Sequence, residues 1–425
     1  MVRKIFITLC VLSVSAYSQL ITGRTTTAVY GFQSLDSSRS AQTNIRAYEN
    51  IYLNVAKDNI SLNANALVSN DFGTSIATDP ELRISSLMVK VRDIGGLADV
   101  SAGRQYIFAG AGYGLIDGVI SSVRLFDRSV TVVGYGGTNV SHTRDIRKQW
   151  IGSNGMFGGQ VIVAPLENGT VGVSYMNKRM QRKPYEATRI DSLFNPRVIV
   201  INSLPLTEEL ASVDLEYALH QVIVQAKSDY DFYSKDISRL QAFTRVLMTD
   251  ELGVTAEYIF RQPRVAYNSI FSVFDVSSTK EIEGGIEYRP SVTSFLFARF
   301  GNVEYAGSES SQRIVVGGTY DFLSANFTKN LGYAGELNGL SLQAVCPMYD
   351  RLITPMIGAG FASYKLDKDS PSQTVVNATL GAVYRPVKMF STDVQLQWMK
   401  NPLYNSDVRI FVKASYWFNE RMGWF

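Results

Sequence analysis

The chain of 425 residues carries 41 Lys and Arg against 38 Asp and Glu, and this formal net charge of +3 does not predict strong attraction to nucleic acid. Hydrophobic residues make up 46%, yet after residue 18 no uninterrupted apolar run approaches the roughly 20 residues of a membrane helix, which excludes a helical membrane protein. The 23 Tyr, 22 Phe and 33 Gly suit strands and tight turns, so the sequence predicts an all-β chain.

Residues 1–18 have the layout of a secretory signal peptide. Arg3 and Lys4 precede an apolar stretch, and small residues follow it, so we expect cleavage after Ala16 or Ser18. Removing the two basic residues leaves 41 − 2 = 39 basic against 38 acidic side chains, a charge of +1 for the mature chain. The segment therefore predicts export.

Many segments of the mature chain alternate apolar and polar side chains, the period of two that marks a strand with one face in lipid and one in water. Clear examples are 60–68, 280–289, 374–385, 392–398 and 408–418. At roughly 3.3 Å per residue and a tilt of about 40°, such a segment spans an apolar band near 25 Å tall. The pattern predicts a transmembrane barrel, although the strands of a soluble β-sandwich also alternate.

The connections between these segments alternate in length. Ten brief turns and eleven longer connections match the short periplasmic turns and longer extracellular loops of membrane barrels. Together they join about 22 strands, within a range of 18 to 24, in a single antiparallel up-and-down barrel over residues 19–425. The longest loops fall near 138–155, 179–207 and 264–279, and 109–117 is another of the longer connections. Loop 179–207 either folds inward or forms an external hairpin.

Two stretches carry a family resemblance. The chain ends in Trp424 and Phe425 after an amphipathic strand, which resembles the C-terminal signal of Gram-negative outer-membrane barrels. Segment 103–118 begins with Gly-Arg-Gln and looks like the strand-to-constriction region of porin-like families. Its glycines are Gly103, Gly110, Gly112, Gly114 and Gly118. The resemblance implies a diffusion channel in the bacterial outer membrane and does not name its solute.

The sequence offers little for catalysis or metal binding. His142 falls in a predicted external loop and His220 at a predicted turn, neither beside a second ligand, and Cys346 is the one cysteine after the signal peptide. His142 lies close to Ser141 and Asp145, but no nucleophile motif supports a hydrolase triad. We therefore expect no enzyme activity, no metal and no cofactor.

Charged residues on the predicted inward face matter most for function, because lining charges determine which solutes pass a pore. Their mixed signs predict either a transverse field across a constriction or structural salt bridges that fill a closed lumen. The candidate lining residues are Arg104, Arg245, Glu257, Glu283, Glu287, Arg299, Arg313, Arg385, Asp393, Arg409 and Lys413.

The first hypothesis is a porin, through which small hydrophilic solutes or ions diffuse passively across the outer membrane, with lipid around it and homo-oligomers left open. The alternative is a structural or assembly barrel with a closed lumen, which anchors a surface or secretion partner through loops 138–155 and 179–207. Twenty-two strands also suit a plugged transporter. A plug domain needs well over about a hundred residues before the barrel, whereas alternation begins by about residue 25, which disfavours that class.

Overall fold

The computed structural model describes residues 19–35, 41–72, 80–141, 144, 150–181, 184–190, 195–201, 206–263, 278–306, 309–332, 335–366 and 370–422. These residues form 24 β-strands. No helix among them is long and apolar enough to cross a membrane. The predicted signal peptide 1–18, His142 and the terminal Phe425 lie outside the described residues.

The strands are β1 (Gln19–Leu35), β2 (Ala41–Lys57), β3 (Ile60–Asp71), β4 (Glu81–Ile94), β5 (Ala98–Ala109), β6 (Gly112–Leu125), β7 (Val130–Asn139), β8 (Gly155–Leu166), β9 (Gly169–Met180), β10 (Tyr185–Ile190), β11 (Pro196–Ile201), β12 (Leu206–Leu219), β13 (Val222–Asp231), β14 (Asp236–Leu247), β15 (Leu252–Arg261), β16 (Thr279–Ser291), β17 (Ser294–Tyr305), β18 (Ser310–Tyr320), β19 (Leu323–Gly332), β20 (Glu336–Val345), β21 (Ile353–Lys365), β22 (Gln373–Val387), β23 (Phe390–Lys400) and β24 (Asp407–Met422).

Twenty-two of these strands form one closed antiparallel barrel. Each pairs with its neighbours in chain order, β12 follows β9 in the sheet, and β1 pairs with both β2 and β24. The predicted all-β class, up-and-down order and count of 22 are confirmed. Strands about 4.8 Å apart and tilted by about 40° would close into a cylinder with a backbone diameter of roughly 44 Å.

Alternation gives this sheet an inward and an outward face. In β16, Glu281, Glu283 and Glu287 point inward, while Ile282 and Ile286 point outward and are 62% and 55% exposed. The registers carry the same assignment from strand to strand around the barrel. A closed barrel satisfies its backbone hydrogen bonds internally, and an exposed apolar outer face is stable in lipid, so the chain spans a membrane.

One outward side chain breaks the apolar pattern. Glu49 lies in the middle of β2 on the outward face, between the apolar residues Ala47 and Ile51. The hydroxyl groups of Thr25 and Thr27 on β1 donate hydrogen bonds to its two carboxylate oxygens. The neighbouring strand therefore supplies the polar contacts that the lipid cannot.

The two ends of the barrel differ as the sequence predicts. The ten predicted brief turns join β2 to β3, β4 to β5 and so on to β22 and β23, although the β20–β21 connection spans 346–352, and the longest connections lie at the opposite end. One predicted connection is wrong: residues 109–117 are not a long loop, because β5 and β6 continue to a two-residue turn at Gly110 and Ala111. The β-hairpin register extends to Ala109 paired with Gly112.

Loop 179–207 contains a separate hairpin. β10 and β11 pair with each other, from Tyr185 opposite Ile201 to Ile190 opposite Pro196, and form a two-stranded sheet outside the barrel sheet. Most of their side chains are exposed on both faces. The structure therefore has a hairpin in this loop, with exposed side chains and no strand pairing to the barrel sheet.

Candidate functional site

The ends of β5 and β6 leave the barrel wall together. β5 pairs with β4 only as far as Arg104, opposite Leu87, and β6 pairs with β7 only from Ile116 onward. Residues 105–115 pair with one another alone, as a two-stranded ribbon that ends at the 110–111 turn. We refer to residues 105–115 as the ribbon.

Two glycines permit this departure. Gly103, with a φ of +125°, lies where β5 separates from β4, and a Cβ there would collide with the carbonyl oxygen of Leu87. Gly110, with a φ of +60°, forms the tip, and a Cβ there would collide with the hydroxyl group of Ser174. Both positions combine a left-handed backbone with a close approach, which only glycine tolerates at low cost.

The ribbon folds back onto the inner face of the wall. Its residues Ile107 and Ala109 are buried and pack with Met156 of β8 and Met176 of β9 in one apolar cluster. The registers place both methionines on the inward face, opposite Gly137 and Leu210 respectively. The two sheet surfaces therefore meet as the layers of a sandwich do, about 10 Å apart.

Hydrogen bonds hold the tip of the ribbon against the inner face of the wall. The backbone amide of Ala111 donates to the hydroxyl oxygen of Ser174 at 2.7 Å. The Nζ atom of Lys227, on β13, donates to the carbonyl oxygen of Gly110 at 3.0 Å and also lies 3.0 Å from a carboxylate oxygen of Asp214. The tip thus lies against β9, and the Lys227 side chain reaches it from β13 across β12.

An ion pair between the buried guanidinium group of Arg104 and the partly exposed carboxylate of Asp117 fixes the root of the ribbon. The guanidinium group of Arg104, 5% exposed, donates two hydrogen bonds of 2.8 Å to the carboxylate of Asp117 on β6. A third nitrogen donates to the carbonyl oxygens of Ile84 and Arg144 at 3.2 and 2.5 Å. The backbone amide of Ile84 donates to the same carbonyl oxygen of Arg144 at 3.3 Å, so this residue of the β7–β8 connection bridges the wall where β5 has left β4.

Arg104 is therefore a correction to the predicted lining set. The registers put Gly103 and Gln105 on the inward face of β5, and Arg104 on the opposite face. Residues 106 and 108 lie on the same face of β5 as Arg104. Because the ribbon folds back onto the inner wall, this face turns toward the lumen at residues 106 and 108. That face carries Tyr106 and Phe108, whose rings stack with centroids 6.0 Å apart, and Phe108 is 83% exposed.

Six of the inward charges on β14 to β18 form a continuous chain of ion pairs. Arg245 lies 3.0 Å from Glu287, whose other carboxylate oxygen lies 3.6 Å from Arg299. Arg299 approaches Glu283 at 3.8 Å, and Arg313 contacts Glu283 at 2.6 Å. Arg313 also pairs with Glu281, which closes the chain with three cations and three carboxylates. The net charge of this cluster is zero.

The remaining predicted residues form no ion pair with that chain among the described residues, although Glu257 lies opposite Glu283 in the strand register. Glu257, on the inward face of β15, accepts a hydrogen bond from Gln241 at 2.8 Å. Lys413 pairs with Asp393 at 3.3 Å on neighbouring strands. Arg385 lines the same recess as these two and forms no ion pair within the described part of the chain.

Arg409 is also inward, and its guanidinium group contacts the buried carboxylate of Asp407 at 2.7 Å. Thus ten of the eleven predicted residues lie on the inward face, and most are paired there. The lining role itself stays a prediction for each of them. Residues that the sequence did not single out, notably Lys227 and Ser174, hold the ribbon.

The comparisons with known proteins concern the fold. No family model matches the sequence, and no curated protein sequence matches it. Two mutant forms of the ferric enterobactin receptor of Pseudomonas aeruginosa are similar in structure, with TM-scores of 0.59 and 0.58 at 10% identity. They match 93% and 95% of this chain and 80% and 81% of their own. The translocation pore of the P pilus usher has a TM-score of 0.49 at 9% identity, over 93% of this chain and 99% of its own.

The fold is that of an outer-membrane β-barrel. Two strands of its wall, β5 and β6, supply the ribbon that packs on its inner face. Among the described residues, no group of three or more His, Cys, Asp or Glu side chains is arranged to hold a metal ion.

Proposed function

We propose that this barrel is a passive diffusion channel for small hydrophilic solutes, narrowed on one side by the ribbon. The observation that supports this most is a closed barrel of 22 strands with many polar side chains on its inward face. Solutes would move down their own gradients, so the proposal includes no cofactor and no catalytic step. Homo-oligomerisation stays a prediction.

The size of the ribbon supports an open lumen. From Ile116 to Gly110 it extends about 20 Å, at roughly 3.3 Å per residue, and as a second layer it is about 10 Å thick. Inward side chains about 5 Å deep reduce a backbone diameter of about 44 Å to roughly 34 Å, a cross-section near 900 Å². A ribbon profile of about 200 Å² occupies roughly a fifth of that area. On these dimensions the ribbon would narrow the lumen and leave most of its cross-section open, which supports a diffusion channel.

The ion pairs suggest how such a channel would treat charge. The chain from Arg245 to Glu281 sums to zero, and its carboxylates already contact guanidinium groups. Paired charges present little net field to a passing ion, because each is neutralised within a few ångströms. We therefore expect weak selectivity between small cations and anions.

Single-channel recording of the purified mature chain in a planar bilayer tests the proposal. Stable ohmic steps, with a reversal potential near zero across a salt gradient, are the expected result. Folded, heat-modifiable protein that inserts and gives no steps would refute a diffusion channel. A ribbon deletion that raises the unit conductance by about a fifth or more would tie the constriction to residues 105–115.

The β10–β11 hairpin favours a second candidate, a structural or assembly barrel. Its exposed apolar side chains, including Ile190, Val198 and Val200, extend outside the barrel sheet, where a surface partner could contact them. Conductance measured in a planar bilayer distinguishes the two candidates. Removing residues 185–201 should leave the conductance unchanged for a diffusion channel, whereas an assembly barrel should give no steady conductance before or after the deletion.

A further inference from the structure

The inner wall is divided into charged and uncharged sectors. Across β19, β20, β21 and β22 as far as Val383, the registers place no Asp, Glu, Lys or Arg on the inward face. The strands on either side carry inward charges, from Arg313 on β18 to Asp393 on β23. A solute that follows β19 to β22 therefore meets a neutral surface.

Hydroxyl and amide side chains dominate this neutral sector. Gln343, Thr379 and Gln397 are joined in one cross-strand row, with Gly358 between the first two. The adjacent row contains Ser341 and Asn377, with Gly360 between them. We call Ser341, Gln343, Asn377, Thr379 and Gln397 the amide face. The first four lie in the neutral sector, and Gln397 lies at its edge on β23, opposite Arg409 of β24.

The amide face differs from the charged sectors in its hydrogen bonding. Within the described part of the chain, none of its five side chains makes a hydrogen bond or ion pair with protein. By contrast, the carboxylates Glu281, Glu283 and Glu287 all contact guanidinium groups. Donors and acceptors free to bind a solute are thus concentrated where charge is absent.

The glycines give the amide face a shallow recess of about 640 Å³. Gly358 and Gly360 lie between the polar side chains and expose backbone to the lumen. Phe295 and Phe297, stacked with centroids 5.7 Å apart, line the edge of the same recess. From Gln343 to Gln397 the row crosses three strand spacings, about 14 Å.

We propose that the amide face binds neutral polyhydroxylated solutes, namely short saccharides, on their way through the barrel. This proposal rests on the proposed diffusion channel. An amide or hydroxyl group can both donate and accept, which matches a sugar hydroxyl group, and neither sign of charge is needed. The row of amide and hydroxyl groups from Gln343 to Gln397 is as long as a short oligosaccharide.

The test is current block by maltotriose in the planar bilayer, compared with a polyethylene glycol of similar hydrodynamic size. We expect the trisaccharide to lower the current with a saturating concentration dependence that the polymer lacks. Gln343→Leu with Gln397→Leu should raise the half-blocking concentration at least about fivefold, because two hydrogen bonds are lost. The near-isosteric Thr379→Val should raise it about twofold or more and serves if the double variant does not fold.

Gln225→Leu is the matched control, since Gln225 also points inward but donates to Glu216 in the charged sector. It should leave the block unchanged. No conductance at all would refute the diffusion channel. Steady conductance with no block, with equal block by the polymer, or with the same loss in Gln225→Leu would refute the amide face and leave the channel in place.

Discussion

Substituting the glycine at the tip should release the ribbon from the wall. Gly110→Ala adds a Cβ that collides with the Ser174 hydroxyl group, and the displacement breaks two contacts: the Ala111 amide bond to Ser174 and the Lys227 bond to the Gly110 carbonyl oxygen. A neutral hydrogen bond contributes about 1 kcal/mol and a charge-assisted one about 1.5 kcal/mol. Their loss favours the detached ribbon by about 2.5 kcal/mol, a factor between about ten and a hundred in its population.

Thiol labelling measures that population. Ser212 on β12 is 1% exposed and lies opposite Ser174, so a cysteine there reports uncovering of the wall beneath the ribbon. In a Cys346→Ser background, a water-soluble maleimide should label Ser212→Cys about ten to a hundred times faster when Gly110→Ala is present. The control is Gly95→Ala, because Gly95 shares the φ of +60° but has no atom within 4 Å of its added Cβ.

Both glycine substitutions introduce the same backbone strain, so they differ only in the collision of the added Cβ with Ser174 in Gly110→Ala. Equal labelling rates in the two variants would refute the account of how the tip is held. Faster labelling in both would point instead to a general loosening of the barrel by strained turns.

Three further substitutions follow from the ion pairs and the outward face. Arg104→Met should lower the free energy of unfolding by about 2 kcal/mol in a denaturant titration, because it removes the buried guanidinium group that donates to the Asp117 carboxylate and to two carbonyl oxygens. Glu283→Gln should shift the reversal potential toward anion selectivity, because one inward negative charge is removed from a balanced cluster. Glu49→Leu should raise the free energy of unfolding from vesicles by about 1 kcal/mol, since a carboxylate facing lipid is destabilising.

Each of these has a matched control in the chain. Arg83→Met removes a more exposed pair with Glu81 and should cost no more than about 1 kcal/mol. Glu257→Gln, outside the balanced cluster, should shift the reversal potential in the same direction, so a shift toward cations in either variant would contradict the charge argument. Glu420→Leu, near the rim of β24, should change stability less than Glu49→Leu, and an equal gain would contradict the depth argument.

The strand count was predictable because two independent signals agree. Alternation sets the faces of strands such as β16, where Glu281 to Glu287 must avoid lipid, and brief turns mark one end of nearly every hairpin. Both signals are local in sequence. The exposure of β10 and β11 was not predictable, since the apolar run 198–201 suits a covered strand as well as an exposed one.

The ribbon was missed as secondary structure because its pattern does not alternate in polarity. Tyr106 and Phe108 on one face face the lumen, while Ile107 and Ala109 on the other pack on the wall, so both faces read as apolar. A strand with apolar side chains on both faces lacks the alternation of polarity that identifies a barrel strand. Lys227 could not be singled out, because its partner at Gly110 depends on where the ribbon folds.

Because two wall strands form the ribbon, the distance that its tip extends into the lumen can change only in certain ways. Lengthening both strands by two residues would move the tip by about 6.6 Å and keep Ile107 and Ala109 against the wall. Adding a single residue to each strand would instead reverse the direction of every side chain between the insertion and the tip. The aromatic rings would then point toward the wall and the small residues toward the lumen. The width of this passage is therefore adjustable only in steps, each a full pleat of the sheet.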